Sequence, residues 1–352
     1  MTVNATQTNI RAIMHHPKKD EPLNILTATT HERYEYNLCK TGHNFYALNI
    51  PGQKTWDTDY APIPENYYII NNIPSYLDFD LILSHTSDKR LMVLHNVVAQ
   101  NNEQTLNKIS IPIIRHTHIL PDIRMPEETQ VAGFNSIKVD LDSFISKYNA
   151  KAWIRSKRSA EIIEHGVDTD FWRPVSKNRI NACLSVVNDW PNRDWCCGFN
   201  LWRDTTRGLP TQVYGKSPGF SEPANSIEHL RQAYSEHSIF YNTSLHSPVP
   251  TVLMEAMACG CAIVSTANCM IPEIVEHNYN GLLSNDPKEL RTFLEELLAN
   301  PEKARELGDN ARKTILEKFN LNRFTEGWNR LFFQAIENKK NGGIYEGIPV
   351  NK

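Results

Sequence analysis

"PTVLMEAMACGCAIVST", Pro250–Thr266, decides the reading of this chain. One carboxylate, Glu255, stands there among apolar and small residues, where charged side chains seldom sit without a partner. If Pro250 is the first helical residue, its missing N–H costs nothing, and the amides of Thr251, Val252 and Leu253 point out of the helix end. That end carries roughly half a positive charge, so its bare amides can cradle a phosphate without any basic side chain. On the helical wheel Val252, Ala256 and Cys259 lie together with Leu253 and Met257 beside them, and Glu255 falls on the flank. From the flank a carboxylate can reach the hydroxyl pair of a ligand held at the amino end, as acids do on ribose. For an isolated glutamate the alternatives are a loop cap or a pair with a buried arginine.

Outward from this stretch, short β-prone runs alternate with helical ones. Before residue 120 the strands are expected at Leu23–Ala28, Asn44–Ile50, Tyr67–Ile70, Phe79–His85 and Ile109–His118, with a helix over "HERYEYNLCKTGH" closed by Gly42. "AEIIEHGVDTDFWRP" runs from a strand through Gly166 into a turn. A second cycle follows, with strands at Ile180–Val187, Thr211–Gly215 and Ser238–Ser244, a helix over Ser226–His237, the quoted helix and strand, and a tight Asn280-Gly281 turn. Two proline-opened amphipathic helices then close the unit. Such alternation implies two parallel, doubly wound sheets, whose ligands bind beyond the carboxyl ends of the strands, and the cleft between the halves is the expected active site.

The bounds set by composition are broad. The chain has 352 residues, enough for two ordinary domains, with 40% hydrophobic and 22% charged residues and no apolar run near the roughly 18 residues of a membrane span. "MTVNATQTNIRAIMHHPKKDEP" lacks the apolar stretch and cleavage site of a signal peptide, so a cytoplasmic protein is expected. Seven cysteines without C-x-x-C spacing form neither a disulfide framework nor a zinc site. A net charge of -3 supplies no global field for nucleic acid, although a local basic patch is not excluded.

"SLHSPVPTVLMEAMACGCAIVST", followed by "IPEIVEHNYNGLLS", resembles the donor-binding signature of glycosyltransferase family 4, retaining enzymes of GT-B fold. The resemblance runs unbroken for about forty residues, which is far more specific than a lone motif. It extends more weakly from residue 160 to 335 through "IIEHGVDTDFWRP". It implies that Glu255 binds the donor ribose and that the amides of Thr251 and Val252 meet the diphosphate. The family's first glutamate, which touches the transferred sugar, falls at Ser247, a departure that leaves the sugar open and brings His246 into view. The family's cationic pair on the leaving diphosphate corresponds to Arg193, but Phe199 stands where the lysine belongs, and Lys216 or Arg203 are the substitutes. The resemblance also implies a sugar-contacting histidine after a strand of the amino half, at His118, with His116 close behind. The family's glycines in the first βα loop are absent from "THERYE", where His31 and Arg33 are candidates.

Each candidate has a plainer reading. Arg193 fits an exposed loop, Gly215 a strand-ending turn, and Trp172, Trp190 and Trp195 ordinary core packing. His116 and His118, two apart on one side of a strand, also fit a structural pair or a metal site, though no acid or cysteine cluster accompanies them.

The expected architecture is GT-B: a flexible leader over 1–20, an acceptor-side Rossmann-like domain over 21–174, a nucleotide-sugar domain over 175–320, a helix returning to the first domain over 321–340, and a tail over 341–352. The expected activity moves a sugar from a nucleoside diphosphate, such as a UDP- or GDP-sugar, to a hydroxyl acceptor of unknown class, with no cofactor and no metal. Rival readings are a GT-B phosphorylase, a sugar-nucleotide epimerase, or a nucleotide- or glycan-binding protein without turnover. The acceptor ranges from glycan or lipid-linked glycan to a modified nucleic-acid base.

Overall fold

The structure is a computed structural model that describes residues 21–52, 54–73, 77–85, 111–137, 139–154, 159–341 and 348–349. The expected leader over 1–20, most of the tail over 341–352, and Ile109 and Ser110 of one expected strand lie outside the described residues. Contacts divide the chain into two units, Met1–Glu164 with Phe324–Lys352, and His165–Arg323.

In the first unit the chain runs β1 (Asn24–Thr27), α1 (Glu32–Cys39), β2 (Asn44–Leu48), β3 (Tyr67–Ile70), β4 (Leu81–Ser84), β5 (Ile113–Thr117), α2 (Glu127–Ser136), β6 (Leu141–Phe144), α3 (Lys147–Trp153) and β7 (Ser159–Ile162). These strands are all parallel in the order β7-β6-β5-β4-β1-β2-β3. β4 and β5 are buried at every position, as strands covered on both faces must be. β6, α2 and α3 go beyond the elements read from the sequence. "LDSF" reads poorly as a buried strand because Asp142 and Ser143 are polar, yet each is matched across the ladder. Asp142 pairs with Arg115 and Ser143 with His116 in register. Arg115 Nε donates to Asp142 at 2.7 Å with both side chains sealed from solvent. The same guanidinium stacks over Phe134 of α2 and donates to its carbonyl.

The second unit runs β8 (Ile180–Val186), a 3-10 turn over Pro191–Arg193, α4 (Asp194–Cys197), α5 (Phe199–Thr206), β9 (Thr211–Tyr214), α6 (Ile227–Glu236), β10 (His237–Asn242), α7 (Thr251–Ala258), β11 (Ala262–Ser265), α8 (Ile271–Ile274), β12 (Leu282–Leu283), α9 (Pro287–Ala299) and α10 (Pro301–Lys318). Its parallel sheet has the order β9-β8-β10-β11-β12. Ile239, Tyr241, Ala262 and Val264 of the sheet pack with Leu290, Leu294, Leu297 and Leu307 of the closing helices. Side-chain caps start several helices: Ser226 for α6, Asp286 for α9 and Asn300 for α10.

The division falls after Glu164, ten residues before the boundary read at Pro174. Val167 N–H donates to Phe319 O at 2.8 Å, the ring of Trp172 packs edge-on to Tyr234, and Val175 N–H donates to Ser235 Oγ, so this segment coheres with the second unit.

α11 (Leu321–Lys340) belongs to the first unit from Phe324 onward. Its buried stripe is Phe324, Trp328, Leu331, Phe332, Ala335 and Ile336, at the spacing of one helical face. Phe332 meets His43 and Phe45, and Lys339 pairs with Asp140 at 2.7 Å. β13 (Ile348–Pro349) adds antiparallel to β7.

Strand order reverses between β1 and β4 in the first sheet, and between β8 and β10 in the second. Open α/β sheets bind ligands beyond the strand ends at such points. The loops after these four strands are therefore where each unit's chemistry belongs.

Candidate functional site

α7 leaves the loop that follows β10, beside the reversal of the second sheet. Pro250 is its N-cap, with extended ψ of 112°, and Thr251 is the first helical residue. This corrects the reading of Pro250 as the first helical residue. It also removes one expected amide, because Leu253 N–H donates to Pro250 O at 3.0 Å. Thr251 and Val252, both half-buried, open the helix. At the far end Arg312 donates to Ala258 O, and Arg179 donates to Cys259 O at 2.5 Å and to His237 O at 2.6 Å. Two cations thus meet the partial negative charge of the helix carboxyl end. Glu255 is only 5% exposed, and Tyr234 of α6 donates its hydroxyl to Glu255 Oε2 at 3.3 Å.

Three strand-end loops of this unit are tied to one another. Arg193 is exposed at the end of the 3-10 turn, and its guanidinium donates to Asn188 O at 3.3 Å. Asn188 Oδ1 accepts from Lys216 N–H at 2.8 Å, and Asp189 N–H donates to Lys216 O at 2.9 Å. Arg193 and Lys216 are thereby held in neighbouring loops after β8 and β9. The loop after β10 is fastened to the first of these through two consecutive carbonyls. Cys196 O accepts from Leu245 N–H at 2.8 Å and His246 N–H at 3.0 Å, while Cys197 O accepts from Trp190 Nε1 and Thr243 Oγ1, both at 2.9 Å. Ser247, half-buried, follows directly, and the ring of His246 lies 6.2 Å from that of Trp195.

Gly215 has a structural reason of its own. Its φ is +133°, and a Cβ there would lie 2.0 Å from Val187 O. Only glycine fits where β9 turns this close to the end of β8. Arg203, on α5, is exposed beside Asp204. Trp190 is completely buried and Trp172 nearly so, which makes them core residues, while Trp195 is half-buried against the site loop. Burial pushes the Cys197 thiol up to about 12, so it stays protonated.

In the first unit His116, on β5, and His118, just beyond its end, both face Tyr34 of α1. His116 is fully buried, with Tyr34 Oη 2.9 Å from Nε2 and Ser143 Oγ 2.9 Å from Nδ1. His118 is half-buried, 3.2 Å through Nε2 from Nδ1 of His85, which follows β4. His31 is exposed and caps α1, its Nδ1 accepting from Tyr34 N–H at 3.4 Å. Glu35 orders the loop before that cap: its carboxylate accepts from Thr30 N–H, Thr30 Oγ1, His31 N–H and the Tyr67 hydroxyl. Arg33 is half-buried on α1. Among the described residues, no three His, Cys, Asp or Glu side chains gather so as to hold a metal ion.

Sequence reasoning missed Tyr34 and His85 beside His118, Tyr234 bonded to Glu255, and the Cys196 and Cys197 carbonyls between loops. Only His85 left a signal, as the polar residue ending the apolar run "LILSH".

Residues 219–314 match the family model described as Glycosyl transferases group 1. An uncharacterised glycosyltransferase of Methanocaldococcus jannaschii is 29% identical over 342 residues, covering 89% of this chain and 90% of that one. N-acetyl-alpha-D-glucosaminyl L-malate synthase of Bacillus anthracis is 30% identical over 95 residues, 26% of this chain and 25% of that protein, so the match spans about a quarter of that relative. Among solved structures, the Anabaena protein HepE in complex with UDP and glucose superposes with a TM-score of 0.66 at 15% identity, over 89% of this chain and 100% of that one. The two doubly wound units are those of the GT-B fold.

Proposed function

We propose that this chain is a retaining glycosyltransferase, a reading supported by the match of residues 219–314 to the family model described as Glycosyl transferases group 1. The reading has it move a sugar from a nucleoside diphosphate to a hydroxyl acceptor. The observation that carries it is α7. Its amino end opens from the loop at the strand-order reversal, and its one acid, Glu255, is buried on the same helix with a hydroxyl donor beneath it. Thr251 and Val252 amides take the diphosphate, and Glu255 takes the ribose hydroxyls. That the HepE structure was solved with UDP and glucose supports a nucleotide-sugar donor of UDP type.

In the transfer, the bond from the anomeric carbon to the diphosphate oxygen breaks and its electron pair stays on the phosphate. The acceptor oxygen forms the new bond and gives up its proton to the departing diphosphate oxygen. Arg193 and Lys216 oppose the charge that grows on the leaving diphosphate, which is electrostatic stabilisation of the transition state. Gly215 holds the Lys216 loop close to β8, Ser247 stands where the transferred sugar is read, and His118 serves the acceptor side. No resident cofactor or metal is part of this scheme. All seven cysteines are free thiols, which supports a reducing, cytoplasmic setting. No helix among the described residues is long and apolar enough to cross a membrane.

Ser247 favours one second reading, a nucleotide-sugar binding protein without turnover. Product analysis over a panel of nucleoside diphosphate sugars and hydroxyl acceptors separates the two. Glycoside formed by the wild type and lost in a folded Glu255→Ala variant supports the transferase; donor binding without any product supports the binder.

A further inference from the structure

His118 is walled in by rings. The Tyr34 ring meets it edge-on with centroids 4.3 Å apart, His116 does the same at 4.4 Å, and His85 lies tilted at 5.3 Å with the facing ring nitrogens 3.2 Å apart. The walls are themselves fixed. The Tyr34 hydroxyl accepts from Trp328 Nε1 at 3.0 Å and contacts His116 Nε2, and His116 is anchored to Ser143. Tyr34 lies on the helix after β1 and His85 directly follows β4, the two strands where the order of this sheet reverses.

We propose that His85 and Tyr34 are positioning residues that fix the imidazole plane of His118 for group transfer. The proposal rests on the glycosyltransferase reading, in which His118 serves the acceptor side. Two facing imidazole nitrogens at this distance share one proton, so one ring donates and the other accepts. That bond sets which edge of His118 points toward His85 and opposes the ring flip that exchanges nitrogen for carbon. The edge-on rings of Tyr34 and His116 hold the plane against tilting. A group positioned to within a fraction of an ångström reacts without further reorganisation, and a misplacement of about 1 Å can lower a rate on the order of 100-fold.

The test uses the full chain with His85→Phe, His85→Gln and Tyr34→Phe, read in two ways. The first is the imidazole nitrogen NMR resonances of His118, which report ring hydrogen bonding without requiring turnover. They are expected to move in His85→Phe and to stay near their wild-type positions in His85→Gln, whose amide can still bond. The second is steady-state kinetics. His85→Phe is expected to lower kcat about 10- to 100-fold with the donor KM within about twofold, because the donor-holding groups stand in the other unit. His85→Gln is expected to restore most of kcat. Tyr34→Phe, which keeps the ring wall but cuts the bonds to Trp328 and His116, is expected to lower kcat severalfold at unchanged KM. Unmoved His118 resonances in His85→Phe, or wild-type kcat in both Phe variants, overturn the proposal. Resonances that move in a protein that turns over no nucleoside diphosphate sugar reject the glycosyltransferase reading and leave the positioning intact.

Discussion

The Tyr234 hydroxyl donates to Glu255 Oε2 at 3.3 Å, from a side chain that is itself completely buried. A donor beneath the acid steadies its charge and direction while the ring stays packed on Trp172 and Phe240. Tyr234→Phe removes only the hydroxyl. A hydrogen bond to a charged group contributes about 1.5–3 kcal/mol, so the donor Kd should rise about tenfold or more while the cooperative unfolding transition survives. Calorimetric titration beside a thermal melt checks this; an unchanged Kd would mean that Glu255 does not touch the donor.

Gly215 separates steric conflict from backbone strain. Gly215→Ala places a Cβ against Val187 O and should destabilise on the order of 3 kcal/mol. Gly219→Ala, at φ +79° with open space around it, should cost about 1 kcal/mol. Denaturant midpoints of the two variants measure the difference.

His43 makes stability depend on pH. It is 6% exposed, and burial lowers its pKa to about 4 although Asn329 opposes the shift. In the unfolded chain it titrates near 6.5. Between those values the unfolded chain binds the proton and the folded one does not, so stability is full above pH 6.5 and is lost as pH falls toward 4. This one group accounts for about 3 kcal/mol. His43→Gln should flatten that part of the curve, seen in urea melts at pH 7, 5.5 and 4.5. Parallel curves would show that another group carries the loss.

Asp142→Asn leaves the Arg115 guanidinium buried without its counter-charge, and should destabilise by about 3–5 kcal/mol. Replacing both partners, as Arg115→Met with Asp142→Leu, should recover much of the loss, since well-packed apolar pairs often match buried ion pairs. Chemical denaturation of the single and double variants decides it.

The legible parts of the chain were those with one dominant local signal. The strands, to within a residue or two of their carboxyl ends, and the apolar stripe of α11 followed from local composition and periodicity, and α7 from Pro250 and the motif around it. β6 was hidden because its burial depends on Arg115 and His116, distant in sequence and matched only across the ladder. Pro250 was displaced by one position because a proline serves as well before a helix as in its first turn. Tyr234 and His85 went unnoticed for a different reason. Each works by facing a residue on another element, and no local spacing encodes that relation.

The central claim is that α7 and Glu255 hold a nucleoside diphosphate. Melting temperature in the presence of UDP or GDP, for the wild type and for Glu255→Ala, tests it most directly. A ligand that binds only the folded chain stabilises it by about 2.7 kcal/mol at a hundred times its Kd. One of the two nucleotides should raise the wild-type transition in a concentration-dependent way and leave a folded Glu255→Ala variant nearly unmoved. No shift with either nucleotide, or equal shifts in both proteins, would contradict the account.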